Sequence, residues 1–221
     1  MIRCVVFDFD GTLVRSNYVK RESFFIVTSE IAGADIELNN MFAANFPGDR
    51  SQIFTELSNR IQSANPSKVM PDCRSMAAAY GKLCHDKICS CEEISGASRA
   101  LSKLRDGGVL NYLISATPEH DLKSIVAERR LNSYFKGVYG RPKNKTQHLK
   151  NILAQESIRP IELVMVGDGL DDQVAAASVS CNFIAVTNSG NPNPPRIDKS
   201  VDISIDDMCA LPEILRGLGN D

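Results

Sequence analysis

The amino-acid sequence predicts an α/β protein: a parallel sheet interrupted after its first strand by a helical insertion. Three observations predict this. The chain opens on a short apolar run, Cys4 to Phe7, of the length and character of a buried parallel strand. From Glu93 onward helical stretches alternate with further short apolar runs, the pattern of βαβ units. Between Arg15 and about Glu93 there are apolar stripes at helical spacing and no strong strand, over a length too great for a plain loop. With 221 residues, 43% of them hydrophobic, the chain can bury one full core and a smaller accessory domain.

The first strand runs into Asp8, Phe9, Asp10, Gly11, Thr12, Leu13 and Val14. In open α/β sheets the ligand site lies beyond the carboxyl ends of the strands, and period-2 alternation sends Asp8 and Asp10 out on the same side. Gly11 lets the chain turn away without a Cβ penalty. Taken alone, the stretch has an alternative reading as a strand followed by an ordinary acidic turn.

In the insertion, a helix is expected over Tyr18 to Ala32, a second through Ile53, Leu57 and Ile61, and a third through Met76, Ala79, Tyr80 and Leu83. Gly33, Pro47-Gly48 and the stretch from Pro66 to Pro71 punctuate them. Phe24, Phe25, Phe42, Phe46 and Phe54 are expected in the core of this insertion rather than as a ligand platform.

After Glu93 the expected order begins with a helix from Ser95 to Arg105, stopped by Gly107-Gly108, and a strand from Val109 to Ile114. A helix after Pro118 to about Arg130, a strand from Lys136 to Tyr139 and a helix from Lys145 to Gln155 follow. A strand from Leu163 to Val166, a helix from Leu170 to Ser178 and a strand from Phe183 to Val186 come next, with a last strand and helix near Asp202 to Leu218. The proline-rich run from Asn188 to Pro195 reads as a surface loop.

Composition narrows the function classes. A net charge of −2 gives no global basic field, so no nucleic-acid partner is expected. No stretch approaches a membrane span, and the apolar start stops at Asp8, short of a signal-peptide core, so a cytoplasmic protein is expected. Seven cysteines, an odd number, point to reduced thiols. Cys84, Cys89 and Cys91 near His85 match no usual CxxC metal spacing and read as small apolar residues.

Three further groups fall just after expected strands. Ser115, Ala116 and Thr117 could hold an anion together with the N-terminus of the helix after Pro118, or could simply cap that helix. Arg141, Lys143 and Lys145 precede a helix whose dipole disfavours cations, which suggests a compensating anion, although solvated surface charge is the alternative. Val166 and Gly167 lead into Asp168, Asp171 and Asp172. Crowded carboxylates are costly without a cation or a proton, and a hard cation with oxygen ligands, Mg²⁺, suits Asp8, Asp10 and Asp168.

In order, DFDGTLV, LISATP, a lysine and VGDGLDD resemble the motifs of the haloacid dehalogenase superfamily of phosphatases, over the whole of the sheet-forming part. The resemblance implies a Rossmann-like three-layer core, residues 1–15 and 93–221, with an inserted helical cap of the C1 type, residues 16–92. It implies that Asp8 is the nucleophile forming an aspartyl phosphate and Asp10 the general acid and base. Ser115 and Ala116 would lie at the phosphoryl oxygens and Lys145 would neutralise their charge. Lys143 fits relatives with a Lys-Pro pair, whereas Lys145 fits a Gly-x-Pro-x-x-Lys pattern preceded here by Gly140-Arg141-Pro142, and Lys145 is the chosen residue. Mg²⁺ would bind Asp8, the Asp10 backbone carbonyl and Asp168, with Asp172 orienting the metal's waters or the lysine. Asp10 itself argues against dehalogenation and against a transport ATPase. Ala116, where many relatives carry asparagine, and Ser180, near a common glycine, depart from the pattern.

The implied function is Mg²⁺-dependent hydrolysis of a small phosphorylated metabolite, with a sugar phosphate or phosphoglycolate-like compound as candidates. A phosphosugar mutase or phosphotransferase of the same superfamily and a non-catalytic phospho-ligand binding module are the alternatives.

Overall fold

The computed structural model describes residues 1–187 and 203–218, so the expected loop at 188–195 lies outside the described residues. The strands are β1 (Cys4–Phe7), β2 (Leu110–Pro118), β3 (Gly137–Arg141), β4 (Leu163–Gly167), β5 (Asn182–Val186) and β6 (Ser204–Ile205). They form one sheet in the order β3-β2-β1-β4-β5-β6, parallel throughout. Every residue of β1 is buried, as expected of a strand flanked on both sides: Val6 is in register with Tyr112 of β2 and with Met165 of β4. The chain goes one way from β1 to β2 and β3 and the other way to β4, β5 and β6. The crevice at the carboxyl end of β1 is therefore the topological switch point of the sheet.

By compactness the chain divides into two units, Met1–Asn17 with Cys89–Asp221, and Tyr18–Ile88. The insertion contains α1 (Asn17–Val27), α2 (Ala34–Ala43), α3 (Arg50–Ala64) and α4 (Cys73–Ser90). Its core is aromatic: the Phe24 ring lies 5.2 Å from Phe54 and 4.2 Å from Tyr80, centroid to centroid. Asp49 caps α3 by accepting from the Ser51 and Gln52 amides, and Gln52 returns the bond to the Asp49 amide. Two features differ from the pattern reading. The first helix stops at Val27 instead of Ala32, where the Thr28 hydroxyl donates to the Phe24 carbonyl and the chain passes into turns. A fourth helix, α2, is present. Its buried residues Ala34, Leu38 and Met41 stand at i, i+4 and i+7, but Ile36 between them is exposed, which blurs the amphipathic contrast.

The sheet is covered by α5 (Ala97–Asp106), α6 (Glu119–Glu128), α7 (Lys145–Glu156), α8 (Leu170–Ser178) and α9 (Leu211–Gly217). Leu149 and Ile152 of α7 and Ala175 and Ala176 of α8 pack on the face that carries Cys4, Val6, Tyr112, Ile114 and Met165. Helices α5 and α9 pack on each other, with α5 against β2. Strand β2 continues past Ile114 to Pro118, with an irregular register over that stretch. Ser115, Ala116 and Thr117 thus belong to the strand end, not to a cap: α6 has Pro118 at its N-cap and no capping side chain. Its first turn carries Glu119 and Asp121. Among the described residues no helix is long and apolar enough to cross a membrane, and all seven cysteines are free thiols.

Candidate active site

Asp8 follows β1 directly, and its amide continues the ladder by donating to the Val166 carbonyl at 2.9 Å. It is 5% exposed. Gly11 then turns the chain with φ +78°, and a Cβ there would stand 2.0 Å from Asp168 Oδ2, so the turn needs glycine on both counts. The Asp10 carboxylate is held by hydroxyls. Ser16 Oγ donates to its Oδ1 at 2.6 Å, and Thr117 Oγ1 and Ser115 Oγ lie 3.3 and 3.4 Å from its Oδ2. The end of β2 therefore reaches the loop after β1 through side chains.

From the other side, β4 delivers Asp168. Asn17 Nδ2 donates to its Oδ2 at 2.5 Å, and Thr12 Oγ1 lies 3.4 Å from its Oδ1. Asp172, in the first turn of α8, is fully buried, with Oδ2 accepting from the Gly169 amide at 3.0 Å. A Cβ on Gly167 would fall 2.3 Å from the Asp172 carboxyl carbon, so a side chain there would displace that group. Lys145 is the first residue of α7, behind the Asn144–Gln147 capping box. Its Nζ reaches Asp8 Oδ1 at 3.1 Å, Asp171 Oδ2 at 3.0 Å and Asp172 Oδ1 at 2.6 Å. The anion that offsets a cation at this helix N-terminus is thus a set of protein carboxylates.

Electrostatically the site is under load. Burial, reinforced by Asp8, pushes the Asp168 carboxyl up to about 7. Burial also raises Asp8, against the opposing pull of Lys145, and raises Asp172 well above the ordinary carboxylate range. Burial works to lower Lys145, but Asp8, Asp172 and Asp171 together outweigh it and the ammonium is held more firmly than usual.

The structure brings Asp8, Asp10, Ser115, Lys145, Asp168 and Asp172 together at one end of the sheet. Ala116 is exposed on a cleft of about 290 Å³ that Ser115, Lys143 and Lys145 also line. Lys143 is exposed and makes none of the carboxylate contacts of Lys145. Sequence reasoning missed Ser16 and Asn17 as partners of the carboxylates, and Thr12 as a buried neighbour. Their one signal was position, since three small polar residues follow the aspartates closely where the apolar pattern implied burial.

Residues 5–186 match the family model described as haloacid dehalogenase-like hydrolase. The chain belongs to this family. A curated relative, phosphoglycolate phosphatase 1 of Pseudomonas aeruginosa, is 24% identical over 213 residues, covering 93% of this chain and 77% of the relative. Among solved structures, a predicted phosphoglycolate phosphatase from Haemophilus somnus superposes with a TM-score of 0.76 at 16% identity, over 96% of this chain and 97% of the other. The HAD-hydrolase YfnB of Bacillus subtilis, bound to magnesium, has a TM-score of 0.73 at 11% identity, over 97% and 99% of the two chains. At these identities the two structures speak to the fold.

For this haloacid dehalogenase-like hydrolase the donor set suits a hard cation. One carboxylate oxygen from each of Asp8, Asp168 and Asp172 lies within 4.8 Å of the others, with no sulfur or imidazole in that group. Both Asp172 oxygens accept bonds, from Lys145 and from the Gly169 amide, and burial raises all three carboxylates, a crowding that a cation would relieve. Asp172 contacts Lys145 directly, at 2.6 Å.

Proposed function

We propose that this protein is a Mg²⁺-dependent phosphomonoester hydrolase acting on a small phosphorylated metabolite through a phosphorylated aspartate. The observation that carries the reading is the placement of Asp8 at the switch point of the sheet, 3.1 Å from Lys145 and clustered with Asp168 and Asp172. In this reading an Asp8 oxygen attacks phosphorus, a new O–P bond forms, and the ester O–P bond breaks. Asp10 gives its proton to the departing oxygen. Water then attacks the aspartyl phosphate, its proton passes to Asp10, and inorganic phosphate leaves. Ser16, Ser115 and Thr117 hold the Asp10 carboxylate in position between these two transfers. Ser115 and Lys145 are assigned to the phosphoryl oxygens, where fixed donors and positive charge stabilise the transition state. Asp8, Asp168 and the Asp10 carbonyl are the assigned Mg²⁺ ligands. When bound, the ion supplies positive charge that lets an anionic phosphoryl group approach an anionic carboxylate.

Residues 16–92 are read as the helical C1-type cap. The phosphoglycolate phosphatase relative favours a phosphoglycolate-like substrate over a larger phosphosugar. The test is phosphate release from an aryl phosphate with and without Mg²⁺, beside Asp8→Asn. Metal-dependent release by the wild type and its loss in the variant are expected. Equal inactivity of both proteins with metal present would sink the enzymatic reading in favour of a phospho-ligand binding module.

A further inference from the structure

The 290 Å³ cleft has a wall that the phosphoryl chemistry does not use. Beside Ser115 and Lys145 its lining includes Arg141 and Lys143, on the segment between β3 and α7, both exposed to solvent. The acidic residue of this lining, Asp171, faces Lys145 at 3.0 Å, and Lys145 is in turn engaged by Asp8 and Asp172. The Lys143 ammonium makes no hydrogen bond or ion pair with any described residue. It is a cation set in a concave wall, next to a lysine whose charge is already balanced. The cleft lies at the small end of the roughly 300–1,000 Å³ usual for ligand sites, which limits its occupant to a short molecule.

We propose that Lys143, with Arg141 beside it, receives a second anionic group of the substrate, a carboxylate or a second phosphate. The preferred substrate is then a short phosphomonoester with a negative charge at its other end. Lys143 is a specificity residue, distinct from Lys145 at the reacting phosphoryl group. As a statement about turnover this rests on the phosphatase reading; as a statement about binding it does not. A charge-assisted bond to such an anion is worth about tenfold or more in affinity, and a neutral end group leaves Lys143 solvated and gains nothing.

Titration calorimetry on the Asp8→Asn protein with Mg²⁺ tests this, using 2-phosphoglycolate, ethylene glycol bisphosphate and the neutral-ended 2-hydroxyethyl phosphate. At least one of the two anionic-ended ligands is expected to bind about tenfold tighter than hydroxyethyl phosphate. The tighter of them identifies the anion. Lys143→Ala removes that preference, Lys143→Arg keeps it, and Lys150→Ala, an exposed lysine further along α7, preserves it. In the wild type, Lys143→Ala raises KM for the preferred ligand much more than it lowers kcat. Absence of a preference, including absence of binding, or an equal loss for all three ligands in Lys143→Ala, overturns the proposal. Failure of the wild type to release phosphate from the aryl phosphate and from all three ligands overturns the phosphatase reading separately, because the calorimetry needs no turnover.

Discussion

Lys145 occupies the helix position least suited to a cation, the first residue of α7, and is 9% exposed there. Three carboxylates within 3.1 Å more than offset the dipole and the desolvation. That arrangement separates it from Lys143, two residues earlier and in solvent. The sequence offered two spacings for the lysine, and only tertiary contacts distinguish them geometrically. Removing a preorganised positive group from a phosphoryl-transfer site costs on the order of 10²–10³ in kcat. Lys145→Ala is expected to lower aryl phosphate turnover by about that factor, far more than Lys143→Ala does; steady-state kinetics of the two variants check this, and the reverse order would contradict the assignment. The hydroxyls on Asp10 show a different limit of sequence reading. Ser16 lies close in the chain, but Thr117 arrives from β2, and no local pattern joins them.

At the scale of elements, the turn after β1 and the bulged end of β2 do the positioning. Gly11 and Gly33 both have positive φ, +78° and +85°, yet an added Cβ meets Asp168 and Asn17 at the first and nothing within 4 Å at the second. Gly33→Ala therefore carries only the left-handed backbone cost, roughly 1–2 kcal/mol. Gly11→Ala carries the same cost and also displaces Asp168, so it should be less stable than Gly33→Ala in urea unfolding. It should also lose the Mg²⁺-induced stabilisation that Gly33→Ala retains. Equal behaviour of the two variants would show that the turn does not position Asp168. The strands β1 and β4 were legible because they are continuous apolar runs buried throughout. The end of β2 was not, since Ser115 to Pro118 looks like a loop and is held in the sheet by its pairing with β3. Likewise in α2 the exposed Ile36 blurs the stripe of Ala34, Leu38 and Met41, and packing of Leu38 and Met41 supports the helix.

At the scale of the whole molecule, the acidic cluster ties global stability to pH and metal. Asp168 titrates near 3.9 in an unfolded chain and about 7 in the fold, with burial as the main cause. Its folded pKa is raised, so its contribution to stability is fully present below about 4 and is lost as pH rises through about 7. Asp8 and Asp172 are shifted in the same direction. The Lys145 shift lies above this range and does not change between pH 5.5 and 8. A Mg²⁺ ion held by this cluster would bind the ionised carboxylates and would have to displace protons at low pH. The rise in Tm on adding Mg²⁺ should therefore be larger at pH 8 than at pH 5.5, read by thermal unfolding with EDTA-treated protein as the reference. A shift equal at the two pH values would exclude the cluster as the metal site.

The sequence by itself determined the α/β class, the ends of most strands and which acidic stretches stand at them. Apolar runs, glycine turns and period-2 alternation are local properties, so they can be read one segment at a time. Only the tertiary structure decided which groups meet: Lys145 rather than Lys143 at the carboxylates, Asp172 bonded through both oxygens, and hydroxyls from β2 on an aspartate after β1. Those contacts depend on strand order and on the register of a bulge, which are settled by the packing of distant segments and leave no periodic trace in the chain.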